Sequence, residues 1–278
     1  MKLRYITAEQ PLSHHNQLLA VLSEDIKDQL APHLELVRLP PGEVVYEAGY
    51  ADYYAYFPND AIVSLLSVIE SGKGAEISVV GNEGIVGIDA LVGGSNPCSQ
   101  AVVQSAGTAY RMPAQTLKEQ FNRHVELRWL VLRYMQSLIT QMSQTAVCNR
   151  HHAIEQQVCR RLLLSLDRIT GDELPLTQEK IAYLLGVRRE GVTRAARTLR
   201  NLGVIESRRG HIKVLDRGKL EELSCECYAV VKAESDFLLP YSCLMHRHDG
   251  SARAPARHGA SRLRPDSSLR SAAQPVQA

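Results

Sequence analysis

No stretch of this 278-residue chain approaches the roughly 20 consecutive apolar residues of a membrane-spanning helix. Its first fifteen residues, MKLRYITAEQPLSHH, place no apolar run behind their positive charges, which argues against a secretory signal. Cysteine is sparse. Six residues, at 98, 148, 159, 225, 227 and 243, lack the density of a disulfide scaffold, and none precedes Cys98. Histidine is missing from Leu34 to Met112, so that segment cannot assemble the histidine-and-carboxylate site of a barrel metalloenzyme. These absences lead us to expect a reduced, cytoplasmic protein that is not an enzyme, has no catalytic residues and makes no membrane association.

What is present is the material of an ordinary globular protein: 45% apolar and 22% charged residues, in a chain long enough for two domains. Asn16–Leu22 and Glu24–Leu30 read as short helices, with Ser23 as a helix cap. From Glu35 to Met112, β-rich runs (36–39, 44–46, 61–68, 76–80, 101–103 and 108–112) alternate with glycine and proline turns, as in an antiparallel β-roll or jelly roll. A helix at 114–122 precedes a longer one from about Val125 to Arg150. There Leu127, Val131, Tyr134, Leu138, Met142 and Thr145 step by three or four residues, a seam read as a dimer interface rather than as packing on the chain's own barrel. A further helix, 154–169, turns Val158, Leu162, Leu163 and Leu166 inward, leaving Arg160, Arg161 and Arg168 on a polar, solvated side. Beyond about Ser242 composition collapses to Ser, Ala, Arg, Pro, His and Gln, with six arginines against two aspartates, as in a disordered tail.

The most informative stretch is Leu176–Leu215. Thr177 caps a helix whose apolar positions are Ile181, Ala182, Leu184 and Leu185, and Gly186 ends it. A second helix, about Arg189–Asn201, sets Val192, Ala195, Ala196, Leu199 and Leu202 on one face, with Arg189, Glu190, Thr193, Arg194, Arg197 and Arg200 on the other. Val204-Ile205 and Ile212–Leu215 flank the turn Ser207–Gly210 as a small hairpin. From Arg188 to Lys213 eight basic residues face two acids, a local +6 in a chain of net charge +2. Helix, glycine turn, basic helix and basic hairpin make a winged helix-turn-helix suited to double-stranded DNA.

In this order, β-roll, long helix and winged helix, the chain resembles the Crp/Fnr family of bacterial transcription regulators from about Leu12 to Glu234. The resemblance implies an α+β fold: an N-terminal β-roll with flanking helices (12–124), a dimerisation helix (125–150) and a DNA-binding domain (151–234), before the tail (242–278). Its most specific part is Leu185–Arg194, LGVRREGVTR. Carried over, Arg189 matches the guanine-reading arginine, Glu190 the glutamate that accepts from cytosine, and Arg194 an arginine that reaches a further base edge or phosphate. Major-groove chemistry agrees, since Arg pairs with guanine O6/N7 and Glu with cytosine N4. Arg188 stands where many relatives cap the helix with Ser or Thr. Thr193 and Arg197 join the reading face, and Arg208, Arg209 and His211 in the hairpin are assigned to phosphate.

The effector side departs from the family. In its cyclic-nucleotide-binding members a glutamate binds ribose and an arginine the phosphate. Here the matching stretches are Gly87-Ile88-Asp89-Ala90-Leu91 and Pro97-Cys98-Ser99, with Ile88 for the glutamate and Cys98 for the arginine. Without that cation a buried phosphate is poorly paired, so cyclic AMP or GMP is not expected in that manner. Gly87, Cys98 and Ser99 mark the candidate effector pocket. The N-terminal cysteines of the oxygen-sensing branch are absent, and the histidines at 14, 15, 124, 151 and 152 are read as ordinary surface or core residues. Cys225-x-Cys227 lacks the two further ligands that zinc requires. No metal or cofactor is expected. The expected partners are DNA, a second copy of the chain and RNA polymerase, with an effector that the sequence does not identify. The rival reading is an adaptor whose winged helix contacts protein.

Overall fold

The computed structural model describes residues 16–46, 54–92 and 100–239. The chain enters through α1 (Gln17–Ala20), capped by Asn16, whose side chain accepts from the Leu19 amide and donates to the carbonyls of Pro58 and Gly84. Before α2 (Glu24–Leu30), Ser23 occupies the cap position, but its hydroxyl donates to Glu126 at 2.9 Å instead of serving the helix. That contact fastens the N-terminal helices to the long helix described below.

Seven strands follow: β1 (Glu35–Leu39), β2 (Val44–Tyr46), β3 (Tyr54–Pro58), β4 (Ile62–Val68), β5 (Gly74–Val80), β6 (Gln100–Ser105) and β7 (Gly107–Pro113). They form two antiparallel sheets, ordered β1-β7-β3 and β2-β6-β4-β5. The expected β-roll is therefore present. Strand β3 lies outside the expected runs. It ends in Pro58 beside a turn, and proline is tolerated there because β3 is an edge strand. Strand β4 is buried on both faces. Val63 and Leu65 enter the β-roll core, whereas Ile62 and Leu66 join the core of the C-terminal domain. Double coverage is why this strand is almost continuously apolar.

After α3 (Ala114–Arg123), helix α4 runs from Val125 to His151, 27 residues and about 40 Å at 1.5 Å per residue. Its expected dimer seam lies inside the chain. Leu127, Val131, Tyr134 and Leu138 are buried in the β-roll core, with Met142 packed against it, and the Tyr134 hydroxyl donates to the Ile85 carbonyl at 3.0 Å. Thr145 is buried and accepts from Arg160. The three–four spacing is real, but the barrel claims that face. A second stripe, Val125, Trp129, Leu132, Ile139 and Val147, is exposed. It is displaced by two residues, which at 3.6 residues per turn is about 200° around the helix. Helix α4 is apolar on two opposite sides, and among the described residues only one side is covered by its own chain.

Helix α5 (Ile154–Leu166) also differs from expectation. Arg160 and Arg161 are 3% and 2% exposed rather than solvated, because α5 lies between the β-roll and the C-terminal helices. Arg161 pairs with Glu76 of β5 at 2.6 Å and donates to Gln104 of β6. Arg168 pairs with Glu83 at 2.7 Å. The C-terminal domain then adds β8 (Glu173–Leu174), α6 (Gln178–Leu185), α7 (Arg189–Asn201), β9 (Ile205–Arg208), β10 (His211–Val214), α8 (Arg217–Glu222) and α9 (Glu226–Leu238). The hairpin becomes a three-stranded sheet, β8-β10-β9. Two-residue β8 is too short to carry a periodic signal, and α9 lies outside the expected helices.

Candidate nucleic-acid interface

Helix α6 begins where Thr177 accepts from the Lys180 amide at 3.0 Å, and it ends at Gly186 with φ +66°, the left-handed geometry that glycine adopts without strain. The turn launches α7, whose apolar face of Val192, Ala195, Ala196 and Leu199 is buried. The amphipathic pattern thus has one outcome: Arg188, Arg189, Glu190, Arg194, Arg197 and Arg200 lie on the other side, away from that core. Gly191 is buried, and a Cβ there would come within 2.7 Å of Ile154 Cδ1. Its place is therefore set by the packing of α7 against the start of α5.

Arg188 sits at the helix cap, where its guanidinium, a donor only, cannot serve the amides of the first turn, and it is exposed. Among the described residues, Arg188, Arg189, Arg194 and Arg197 form no ion pair with any described carboxylate, which leaves four uncompensated cations along one helix face. Thr193 differs from its neighbours. Half-buried, it donates to Gln178 Oε1 at 2.9 Å and ties α7 back to α6. In the hairpin, Arg208, Arg209 and His211 are exposed around a turn at Gly210, with φ +85°. Arg208 contacts Glu206 at 3.2 Å, an exposed pair of small energetic weight. The result is a convex basic helix flanked by a basic hairpin.

Of the residues proposed for an effector, Gly87 alone lies among the described residues. Gly87 is buried, and a Cβ there would lie 2.7 Å from the Tyr54 carbonyl. With φ +88° it lets the chain approach β3, where Val86 and Tyr56 exchange backbone hydrogen bonds. Ile88 opens a short 3-10 turn, Ile88–Val92, and packs against the β-roll core. Cys98 and Ser99 lie outside the described residues.

A group that sequence reasoning leaves apart comes together at the end of α4. Cys148 and His152 meet Cys225 and Cys227, with one ligand atom from each lying within 4.8 Å of the others. The i, i+4 spacing of Cys148 and His152 on a helix is the available signal. It is hidden because the partners lie some 75 residues downstream.

Comparison with known proteins matches this architecture. Residues 36–124 match the model of the cyclic nucleotide-binding domain, and residues 156–223 match that of the Crp-like helix-turn-helix domain. Among solved structures, a putative transcriptional regulator of the Crp/Fnr family from Eubacterium rectale superposes with a TM-score of 0.58 at 17% identity, over 73% of this chain and 94% of that one. FixK2 from Bradyrhizobium japonicum gives 0.58 at 15% identity, over 69% and 98%. A CRP/FNR-family regulator from Thermus thermophilus gives 0.55 at 21% identity, over 68% and 98%. No curated protein sequence matches the chain. A cyclic nucleotide-binding-type β-roll, a long helix and a Crp-like helix-turn-helix in this order place the chain in the Crp/Fnr family of transcriptional regulators.

Proposed function

We propose that this regulator reads DNA sequence as a homodimer and does so without a cyclic nucleotide held in the manner of its cyclic-nucleotide-binding relatives. The observation that carries the proposal is the outer face of α7, where Arg188, Arg189, Arg194 and Arg197 form no ion pair among the described residues and stand beside Glu190. Arg189 and Arg194 have the donor geometry for guanine, and Glu190 accepts from cytosine. Arg188, Arg197 and the hairpin residues Arg208, Arg209 and His211 serve phosphate, which positions the helix and makes affinity fall with salt. Thr193 acts by holding α7 on α6.

Dimerisation runs along the exposed stripe of α4. Val125, Trp129, Leu132, Ile139 and Val147 give that face coiled-coil spacing and no cover from the chain's own β-roll. A two-fold axis there would present two α7 helices to half-sites about 34 Å apart. RNA polymerase is the partner through which such a regulator acts, and the bacterial cytoplasm is where DNA is met. Among the described residues no helix is long and apolar enough to cross a membrane. The β-roll offers Ile88 where a ribose-binding glutamate would stand, and a cyclic phosphate needs a buried cation to be held tightly.

Selection of duplexes from a random pool, at two salt concentrations and without ligand, tests the reading. A palindromic motif is expected, and Arg189→Ala should cost ~1–3 kcal/mol and relax one base position in each half-site. Salt-independent binding, or a motif unchanged by Arg189→Ala, would assign the winged helix to protein contact instead.

A further inference from the structure

We propose that Cys148, His152, Cys225 and Cys227 form a structural zinc site that staples the end of α4 to the start of α9. Cys148 lies in the last turn of α4, and His152 is the residue that ends that helix. Cys225 caps α9, and Cys227 lies in its first turn. Cys148 Sγ is 3.5 Å from Cys225 Sγ, and Cys227 Sγ is 3.6 Å from His152 Nδ1. Around a tetrahedral zinc with Zn–S of about 2.3 Å and Zn–N of about 2.0 Å, neighbouring ligand atoms stand about 3.5–3.8 Å apart. The spacing suits a single ion and is too tight for several irons bridged by sulfide.

Three further observations point to a ligand. Cys148, Cys225 and Cys227 form a buried cluster of their own, separate from both large apolar cores, which is not where small apolar side chains used as filler would gather. His152 Nε2 lies 3.3 Å from Glu226 Oε1. That carboxylate fixes the ring with Nδ1 facing the sulfurs, the outer-shell arrangement typical of metal-bound histidine. Arg160 is 3% exposed, its Nε has no hydrogen-bond partner, and among the described residues it makes no ion pair. Its other contact is a 2.7 Å hydrogen bond to Thr145, one turn before Cys148. A buried guanidinium without a counter-charge is costly. Three thiolates around Zn²⁺ carry a net charge of −1 beside it. Gln157 completes the frame by donating to the carbonyls of Cys148 and His152, which holds the turn between these two ligands. A disulfide would consume two of the sulfurs and leave Arg160 unanswered.

The site straddles the junction between α4 and α5 at Ala153, so zinc binding also fixes the angle at which the DNA-binding domain leaves the long helix. The assignment does not depend on what that domain reads.

The test is metal analysis of the full-length protein, purified under reducing conditions without a histidine tag or chelator. One zinc per chain is expected, with its release lowering the melting temperature and one equivalent of Zn²⁺ restoring it. Cys225→Ser and His152→Ala should lose the metal, and Cys98→Ser should keep it. His152→Cys offers a fourth thiolate and should retain zinc, which guards against a variant that fails to fold. Glu226→Gln should weaken zinc binding about 10- to 100-fold while leaving the stoichiometry at saturation unchanged. Cobalt(II) substitution should give the intense visible absorption of a tetrahedral thiolate site. Protein that folds without metal and takes up neither zinc nor tetrahedral cobalt would overturn the proposal, as would bound iron with sulfide.

Discussion

The pair Arg161–Glu76 joins the C-terminal domain to the β-roll, and its removal has a calculable cost. Arg161 is 2% exposed and Glu76 7%. Their contacts of 2.6 and 2.8 Å are supplemented by Gln104 and Ser165, which accept from the same guanidinium. Burial holds the Arg161 pKa below its usual value even with Glu76 in contact, so the charge is expensive where it sits. Half-buried Lys180 is a second cation in the field of Glu76 and donates to the Gln104 carbonyl at 2.9 Å. Glu76→Gln would leave both cations facing only neutral acceptors. Breaking one side of a buried pair typically costs ~3–5 kcal/mol, whereas exchanging both partners for apolar residues of similar size is often close to neutral. At ~2–4 °C per kcal/mol for a chain of this size, Glu76→Gln should lower the melting temperature by ~6–20 °C. The double variant Glu76→Leu/Arg161→Met should recover most of that loss, and a double-mutant cycle followed by calorimetry and urea unfolding would measure the coupling. A fall of less than about 2 °C for Glu76→Gln, or a double variant no better than either single one, would refute the reasoning.

The two faces of α4 predict opposite phenotypes. Trp129→Glu, at 60% exposure, should shift the mass measured by light scattering from dimer to monomer, and a dimer that persists would remove the exposed stripe as the interface. Leu127→Ala, at 2% exposure, should lower stability by ~2–5 kcal/mol through a cavity and leave the dimer intact. In the hairpin, exposed Arg209→Ala should weaken all duplexes alike and reduce the salt dependence by about one phosphate per chain. A change in preferred sequence would instead make Arg209 a base-reading residue.

The amino-acid sequence by itself determined the parts whose signals are local. Thr177 and Gly186 mark the ends of α6 because a capping hydroxyl and a left-handed glycine are properties of single positions. The buried and exposed sides of α7 follow from 3.6-residue periodicity, and the β-roll from closely spaced turns. Tertiary structure decided everything that depends on which neighbour arrives. Two apolar stripes on α4 are equally periodic, and only docking of the β-roll shows that Leu127, Val131 and Tyr134 face inward while Trp129 and Ile139 do not. Arg160 and Arg161 read as solvent-facing because charge ordinarily stays in water, yet Arg161 finds Glu76 85 residues away in sequence. Cys225-x-Cys227 is an incomplete pair until the fold delivers Cys148 and His152 from the other end of the domain. Periodicity reports that a face will be buried. What buries it, and which distant groups converge there, is set only by the packing of the whole chain.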